Sequence, residues 1–262
     1  VLDVSRAQTV EVVVIGAGQA GLSAAYHLVR RGFTPYDELV VLDRNATPGG
    51  AWQHRWDSLT MHNVHGIANL PGAAVPDSAG SERANEFVPR YFADYEHRFG
   101  LPVVRPVAVG SVREGADDRL IVYTDRGTWN TAAIVNATGT WNRPFIPWYP
   151  GIETFRGKQV HTVDYRGAGE FAGQHVLVVG GGASAVQLLA EISEVASTTW
   201  VTRRPPEWRI GQDLGPEIGR AVVAKVEERV RAGLPPRSVV SVTGLLLREQ
   251  ERAAAARGVY QR

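Results

Sequence analysis

Residues Val10–Gly21 read VEVVVIGAGQAG. A β-branched run of this length, bounded at once by glycine, predicts a short buried strand, and the following segment Ala20–Arg31 keeps apolar residues at helical spacing. Leu39–Leu42 (LVVL) supplies a second buried strand. Val10–Asp43 therefore predicts a βαβ unit with a parallel strand pair. Gly16, Gly18 and Gly21 fall in the GxGxxG spacing between strand and helix. In such a turn the first glycine permits the tight bend, the second lets backbone approach a diphosphate, and the third lets helix and strand pack closely. The helix N-terminus adds unpaired N–H groups and a partial positive charge. Asp43 ends the second strand 22 residues past Gly21, close to where an acid holds ribose hydroxyls. Glycine turns also arise for purely steric reasons, but in this context the pattern predicts a dinucleotide site.

The same order returns at His175–Val179, Ala183–Ile192 and Thr198–Thr202, around GGGASA. Gly180 and Gly182 take the first two fingerprint positions and Ala185 the third, which the fingerprint tolerates. The second strand here runs into WVTRRPP, with Arg203 and Arg204 where the acid would stand. A guanidinium binds a 2′-phosphate through paired, charge-assisted hydrogen bonds, whereas an acid repels it. This predicts NADPH over NADH; the plainer alternative is a solvated loop. Two nucleotide folds of different ribose chemistry suggest two cofactors passing a hydride, FAD on the first and NADPH on the second. Between them lie a loop-rich region, 45–85, and a candidate helix at Phe87–Phe99. Short strands at Val103–Val109, Leu120–Tyr123 and Ala132–Asn136, with a turn at Asp125–Gly127, predict a small antiparallel meander. A charged helix is expected over Pro216–Ala232, and the final ERAAAARGVYQR shows no packing face. The fold class is α/β: two Rossmann-like dinucleotide-binding domains, the first with the meander, spanning 1–168 and 169–262.

Composition narrows the function. The chain has 262 residues, 44% of them hydrophobic, and a formal charge of +1, enough apolar content for one large core or two modest ones. The absence of a basic field argues against nucleic acid as a partner. There is no cysteine, so CxxC electron transfer and thiolate zinc sites are not expected. His54, His62 and His65 lie close in sequence without carboxylate support, and no metal site is expected. The apolar N-terminal run is too short to span a bilayer. A cytoplasmic location without membrane contact is expected, with a homodimer left open.

FRGKQVHTVDY, Phe155 to Tyr165, resembles the FxGxxxHxxxY fingerprint of the flavin-containing monooxygenases through Phe155, Gly157, His161 and Tyr165. It precedes the second glycine turn, as in that family. Baeyer–Villiger enzymes end the string with tryptophan, so Tyr165 tilts the resemblance toward N- or S-oxygenases and the YUCCA-like branch. PGGAWQHRW (48–56) resembles the family's GGxW element, LTMHNVHGIANLP (59–71) its segment beneath the flavin ring, and NATGTWNRPFIP (136–147) its ATG element. The likeness runs from Val10 to about Arg204. The family's further C-terminal stretch has no counterpart after that point, so the first domain is expected to be the N-terminal portion of an FAD domain and the second to be truncated.

The resemblance implies FAD contacts at Gly16, Gly18, Gln19, Ala20, Gly21, Asp43, Arg44, Gly50, Trp52, Arg55, Val107, Thr138 and Gly139. It implies NADPH contacts at Gly180, Gly182, Ala183, Ser184, Arg203 and Arg204. His161 is a candidate near the cofactors, expected to position rather than transfer protons; His62 and Asn63 are candidates for the flavin face. By the same resemblance, NADPH reduces the flavin, O2 adds at flavin C4a, and the adduct oxygenates a small nitrogen, sulfur or carbonyl substrate. The open alternatives are a reductase or oxidase that never oxygenates, and a nucleotide-binding fragment without catalysis.

Overall fold

The structure, a computed structural model, describes residues 7–64, 66–209, 216–235 and 244–261. It divides into two compact units, one formed by the described parts of Val1–Arg55 and Asn69–Val163, the other by Trp56–Ala68 and Asp164–Arg262. His65 lies outside the described residues.

The first unit is built on a six-stranded sheet in the order β3-β2-β1-β6-β5-β4. β1 (Gln8–Ile15) lies between β2 (Leu39–Leu42) and β6 (Gly127–Asn136), parallel to both. All four residues of β2 and Val12–Ile15 of β1 are buried, as expected for central parallel strands covered on both faces. Helix α1 (Gln19–Arg30) makes the crossover from β1 to β2 and buries Gly21, Leu22 and Ala25. The core joins Val10, Val13, Ile15, Val40 and Leu42 to Val107, Val122 and Trp129. Each large aliphatic buried there contributes roughly 1.5 to 3 kcal/mol. Trp129 is a core residue, 1% exposed.

The meander is β4 (Val109–Glu114), β5 (Leu120–Thr124) and β6, antiparallel in sequence. The strand expected over Val103–Val109 is instead two pieces. β3 (Val103–Val104) pairs in parallel with β2, and β4 begins at Val109. Pro106 sits between them, and with no N–H and a fixed φ it cannot carry a ladder through. Helix α2 (Ala84–Arg98) begins three residues before the expected Phe87. It is fastened to the β3–β4 connection by Arg105, whose Nη1 and Nη2 donate to Glu96 at 2.6 and 2.8 Å, with both side chains nearly buried.

In the second unit, β7 (His175–Val179) and β8 (Ser197–Val201) pair in parallel and helix α3 (Ala183–Ile192) connects them. Val186, Leu189, Trp200 and Leu245 form its core. After β9 (Trp208–Arg209), helix α4 (Pro216–Arg231) and β10 (Leu245–Leu246), the chain ends in helix α5 (Glu249–Ala256). The sequence assigned this last segment no packing face. It has one: Ala254 is buried, Val259 and Tyr260 pack on the core, and Tyr260 donates its hydroxyl to the Val186 carbonyl at 3.0 Å. Arg257 donates to the Ala190 carbonyl at 3.4 Å and to Ser193 Oγ at 3.1 Å, placing a cation at the negative end of α3.

The expected first domain, 1–168, included Trp56–Ala68, which here packs within the second unit. Trp56 meets Tyr165 edge-on at 5.6 Å, Ser58 donates to Glu191 at 2.6 Å, and Gln187 donates to the Asn63 carbonyl at 2.8 Å. Among the described residues no helix is long and apolar enough to cross a membrane.

Candidate dinucleotide sites

In the first unit, the carboxyl ends of β1, β2 and β6 come to one edge of the sheet. Gly16 N donates to the Leu42 carbonyl at 2.8 Å and Ala137 N to the Ile15 carbonyl at 2.9 Å. Gly16 has φ +101, and a Cβ there would lie 2.5 Å from the Ala137 carbonyl oxygen. A Cβ on Gly21 would lie 1.8 Å from the Gly16 carbonyl oxygen. These two glycines are demanded by the turn itself. Gly18 differs: its backbone is extended, it caps α1, and a Cβ there would meet nothing within 4 Å. Open space thus faces the N-terminus of α1, which begins with Gln19 and the exposed Ala20.

Asp43 is almost fully buried and ties this edge together. Its Oδ2 accepts from Ala17 N at 2.7 Å, and its Oδ1 accepts from Asn45 N at 2.7 Å and Asn45 Nδ2 at 2.9 Å. The carboxylate therefore holds the glycine turn in place, with acceptor capacity remaining on Oδ2. Arg44, next to it, is exposed. Val107 is a core side chain, and its N–H donates to the Asp43 carbonyl at 2.8 Å. Thr138 N and Oγ1 both donate to Asn136 Oδ1, and Gly139 is left-handed at φ +61.

The GGxW element lies against this turn. A Cβ on Gly50 would lie 3.0 Å from Gly18 Cα, and one on Gly49 would lie 2.6 Å from the Pro89 ring of α2. Trp52–His54 forms one short 3-10 turn. Beyond it the Arg55 guanidinium carbon stands 5.5 Å from the Trp52 ring centre and 4.5 Å from that of Trp141. His54 stacks on Trp141 and its Nε2 lies 2.8 Å from Asn45 Oδ1. Burial lowers the Arg55 pKa from its ordinary value. Its Nε is buried without a hydrogen-bond partner. An open helix N-terminus, and in the same unit a cation with no acid partner among the described residues, fit an anionic diphosphate. Asn45, His54 and Trp141 were not singled out as site residues. Their roles arise from contacts between segments far apart in the chain, which no local spacing signals.

In the second unit, Gly180 has φ +139, its N–H donates to the Val201 carbonyl at 2.9 Å, and its carbonyl accepts from Trp200 Nε1 at 2.7 Å. Gly182 caps α3 with nothing within 4 Å of a Cβ built on it, and Ala183 and Ser184 open the helix. Arg203 and Arg204 are exposed just past the end of β8. In the same unit His62 lies 3.1 Å from Glu249 across an exposed pair, and Asn63 Oδ1 is buried with no hydrogen-bond partner.

The fingerprint itself has a structural logic. A Cβ on Gly157 would lie 2.5 Å from Phe155 Cζ, so the aromatic ring covers the glycine. His161 Nδ1 accepts from Val163 N at 3.2 Å at a 3-10 turn over Thr162–Asp164. Tyr165 is buried, stacked on Phe171 at 6.0 Å. Burial, with the Glu191 carboxylate beside it, raises its pKa.

The sequence profile of the pyridine nucleotide-disulphide oxidoreductases matches residues 13–236. A CzcO-like uncharacterised oxidoreductase of Geobacillus kaustophilus is 32% identical over 187 residues, 71% of this chain and 52% of that protein. A Baeyer-Villiger monooxygenase of Streptomyces coelicolor is 31% identical, matching 86% of this chain and 43% of its own. The solved flavin-containing monooxygenase of Stenotrophomonas maltophilia superposes with a TM-score of 0.79 at 38% identity, covering 97% of this chain and 69% of that one. The chain spans about half the length of the curated relatives it matches. With both glycine turns at the ends of parallel strands and likeness of this extent, the chain belongs to the pyridine nucleotide-disulphide oxidoreductase family, among its flavin-containing monooxygenases.

Proposed function

We propose that this chain is the nucleotide-binding part of an FAD- and NADPH-dependent oxidoreductase of the monooxygenase type, inserting one oxygen atom from O2 into a small nitrogen, sulfur or carbonyl compound. The observation that carries the reading is the pair of open helix N-termini, at Gly18 and Gly182, each following a glycine turn at the end of a parallel strand. FAD, when bound, would supply the chemistry of accepting a hydride from NADPH and handing electrons to O2.

The chain's own groups then position and polarise. The N–H groups of Gln19 and Ala20 would hold the FAD diphosphate, and Gly18 leaves room for that approach. Asp43 holds the turn by its existing hydrogen bonds and would accept a ribose hydroxyl through the lone pair left on Oδ2. Ala183 and Ser184 play the same part for NADPH, whose 2′-phosphate the exposed Arg203 and Arg204 receive. Asn63 Oδ1, buried and unpaired, is an acceptor for an amide or ring N–H. His161 accepts from the backbone through Nδ1, which fixes its ring and suits a positioning role.

The test is direct. Purified protein supplemented with FAD is expected to show a flavin absorbance spectrum that bleaches on anaerobic NADPH addition. On readmission of O2 a soft nucleophile such as a thioether is expected to gain one oxygen atom by mass. NADPH oxidation without any oxygenated product refutes the monooxygenase assignment and leaves a reductase or oxidase. Failure to bind FAD refutes the flavoprotein reading.

A further inference from the structure

Helix α3 buries Ala185, Val186, Leu188, Leu189, Ala190 and Ile192, and Gln187 and Glu191 interrupt that apolar run. Four residues apart, they lie on one face of the helix. Glu191 stands in the last turn, where the helix dipole disfavours an acid, so helix stability does not account for it. Both side chains instead hold the segment from Ser58 to Asn63, which belongs to the same unit. Glu191 Oε1 accepts from Ser58 Oγ at 2.6 Å and from Ala168 N at 3.3 Å, and Gln187 Nε2 donates to the Asn63 carbonyl at 2.8 Å. Between these attachments the chain closes on itself, Asn63 N donating to the Thr60 carbonyl at 2.9 Å. A single hydrogen bond leaves a segment free to turn about it. Two, spaced about 5.4 Å apart along a helix, fix its direction as well as its place.

The order of the attachments gives that direction. Ser58 meets Glu191 near the end of α3, and Asn63 meets Gln187 one turn nearer its beginning. The segment therefore runs against the helix, towards the open N-terminus at Gly182. Gln187 lies roughly 6 Å along the axis from Ala183, the first residue of α3. Asn63 is thus carried towards the end of α3 proposed to receive NADPH, with its Oδ1 buried and without a hydrogen-bond partner. Resting on the reading of that oxygen as an acceptor for a bound ligand, we infer that Gln187 and Glu191 are positioning residues. Together they strap the segment from Ser58 to Asn63 onto α3, and so set where the Asn63 carboxamide stands relative to a dinucleotide held at the N-terminus of the same helix.

The experiment uses the full chain supplemented with FAD and compares Asn63→Ala, Gln187→Leu, Glu191→Leu, Glu191→Gln and the double variant Asn63→Ala/Gln187→Leu. Three quantities are measured: amide hydrogen exchange of residues 57–64, NADPH affinity by calorimetry, and oxygenated product formed per NADPH consumed. If wild type consumes NADPH without product, the rate of flavin bleaching by NADPH takes the place of the third. Gln187→Leu and Glu191→Leu are expected to speed exchange in 57–64 by about tenfold and to leave β7 and β8 unchanged. They should spare NADPH affinity, since neither side chain stands at the helix N-terminus, and lower the third quantity by about tenfold or more. Glu191→Gln keeps an acceptor for Ser58 and Ala168 and should behave as wild type. The double variant should be no worse than Asn63→Ala, because both changes remove one function. If Glu191→Leu does not fold, Gln187→Leu carries the decision. Faster exchange in Gln187→Leu with the third quantity at its wild-type value shows a purely structural strap and overturns the inference. So does a fall in NADPH affinity, or a fall in the third quantity without faster exchange. If Asn63→Ala lowers the third quantity and Gln187→Leu does not, the strap is wrong and the reading of Asn63 stands. If Asn63→Ala matches wild type, that reading fails and the positioning role falls with it, as both do if wild type binds neither cofactor.

Discussion

Replacing Gly18 and Gly21 separately by alanine puts the same methyl group into two very different places, three residues apart on one turn. At Gly21 the new Cβ would lie 1.8 Å from the Gly16 carbonyl oxygen, where contact needs at least 3 Å. Helix α1 must move away from the turn by more than an ångström. That opens the packing of Leu22 and Ala25 in the unit's core, and overpacking of this kind costs about 1 to 3 kcal/mol or more. At Gly18 the Cβ would meet nothing within 4 Å, and φ −84 with ψ −173 suits any residue. Losing glycine at a helix N-cap costs at most about 1 kcal/mol, offset by the reduced freedom of the unfolded chain, so stability should hardly change. The methyl group does stand between the α1 N-terminus and a diphosphate. If it removes one or two charge-assisted hydrogen bonds, FAD weakens by about 1.5 to 3 kcal/mol, roughly tenfold to 150-fold. Urea denaturation and FAD titration of both variants separate the effects. Wild-type FAD affinity in Gly18→Ala refutes the reasoning about the site. Equal stability of the two variants refutes the reasoning about the turn.

The remaining expectations concern other parts of the molecule. Arg203→Ala should weaken NADPH by about 1.5 to 3 kcal/mol and spare NADH; equal losses in the two titrations would reject the 2′-phosphate role. Arg105→Ala leaves the nearly buried Glu96 carboxylate without its bidentate partner and should destabilise by about 3 to 5 kcal/mol. Pairing Arg105→Met with Glu96→Gln should recover most of that loss in urea unfolding. Burial raises the pKa of Tyr95, Tyr165 and Tyr260. A raised folded-state pKa means stability that is intact below the unfolded tyrosine value near 10 and is lost as pH rises above it. The urea midpoint should therefore fall above about pH 10. Tyr165→Phe removes a buried hydroxyl with no hydrogen-bond partner. It should leave neutral-pH stability unchanged or up to about 1 kcal/mol higher and make the alkaline fall shallower; a loss of stability at neutral pH would show that the hydroxyl is bonded.

The sequence by itself determined the two βαβ units and their glycine turns, because each rests on local rules. β-branched runs, helical spacing and the backbone freedom of glycine act over a few residues, and β1, α1, β2 and their counterparts in the second unit lie within a few residues of where those rules put them. It also marked the family, through short motifs whose spacing has a mechanical basis, such as the Phe155 ring lying over Gly157. Tertiary structure alone decided the rest. Trp56–Ala68 follows the FAD-type motifs in sequence, yet packs within the second unit through Tyr165, Glu191 and Gln187. The C-terminal segment looked featureless because its apolar residues are few, and only the presence of α3 gives Ala254 and Tyr260 something to bury against. Asp43 had the right spacing for a ribose ligand, but the burial that makes it a brace for Ala17 depends on three strands meeting at one edge. The Trp52–Arg55–Trp141 stack joins residues from separate segments. Spacing along the chain encodes what a residue can do locally; which charges end up facing each other is set by packing between distant segments.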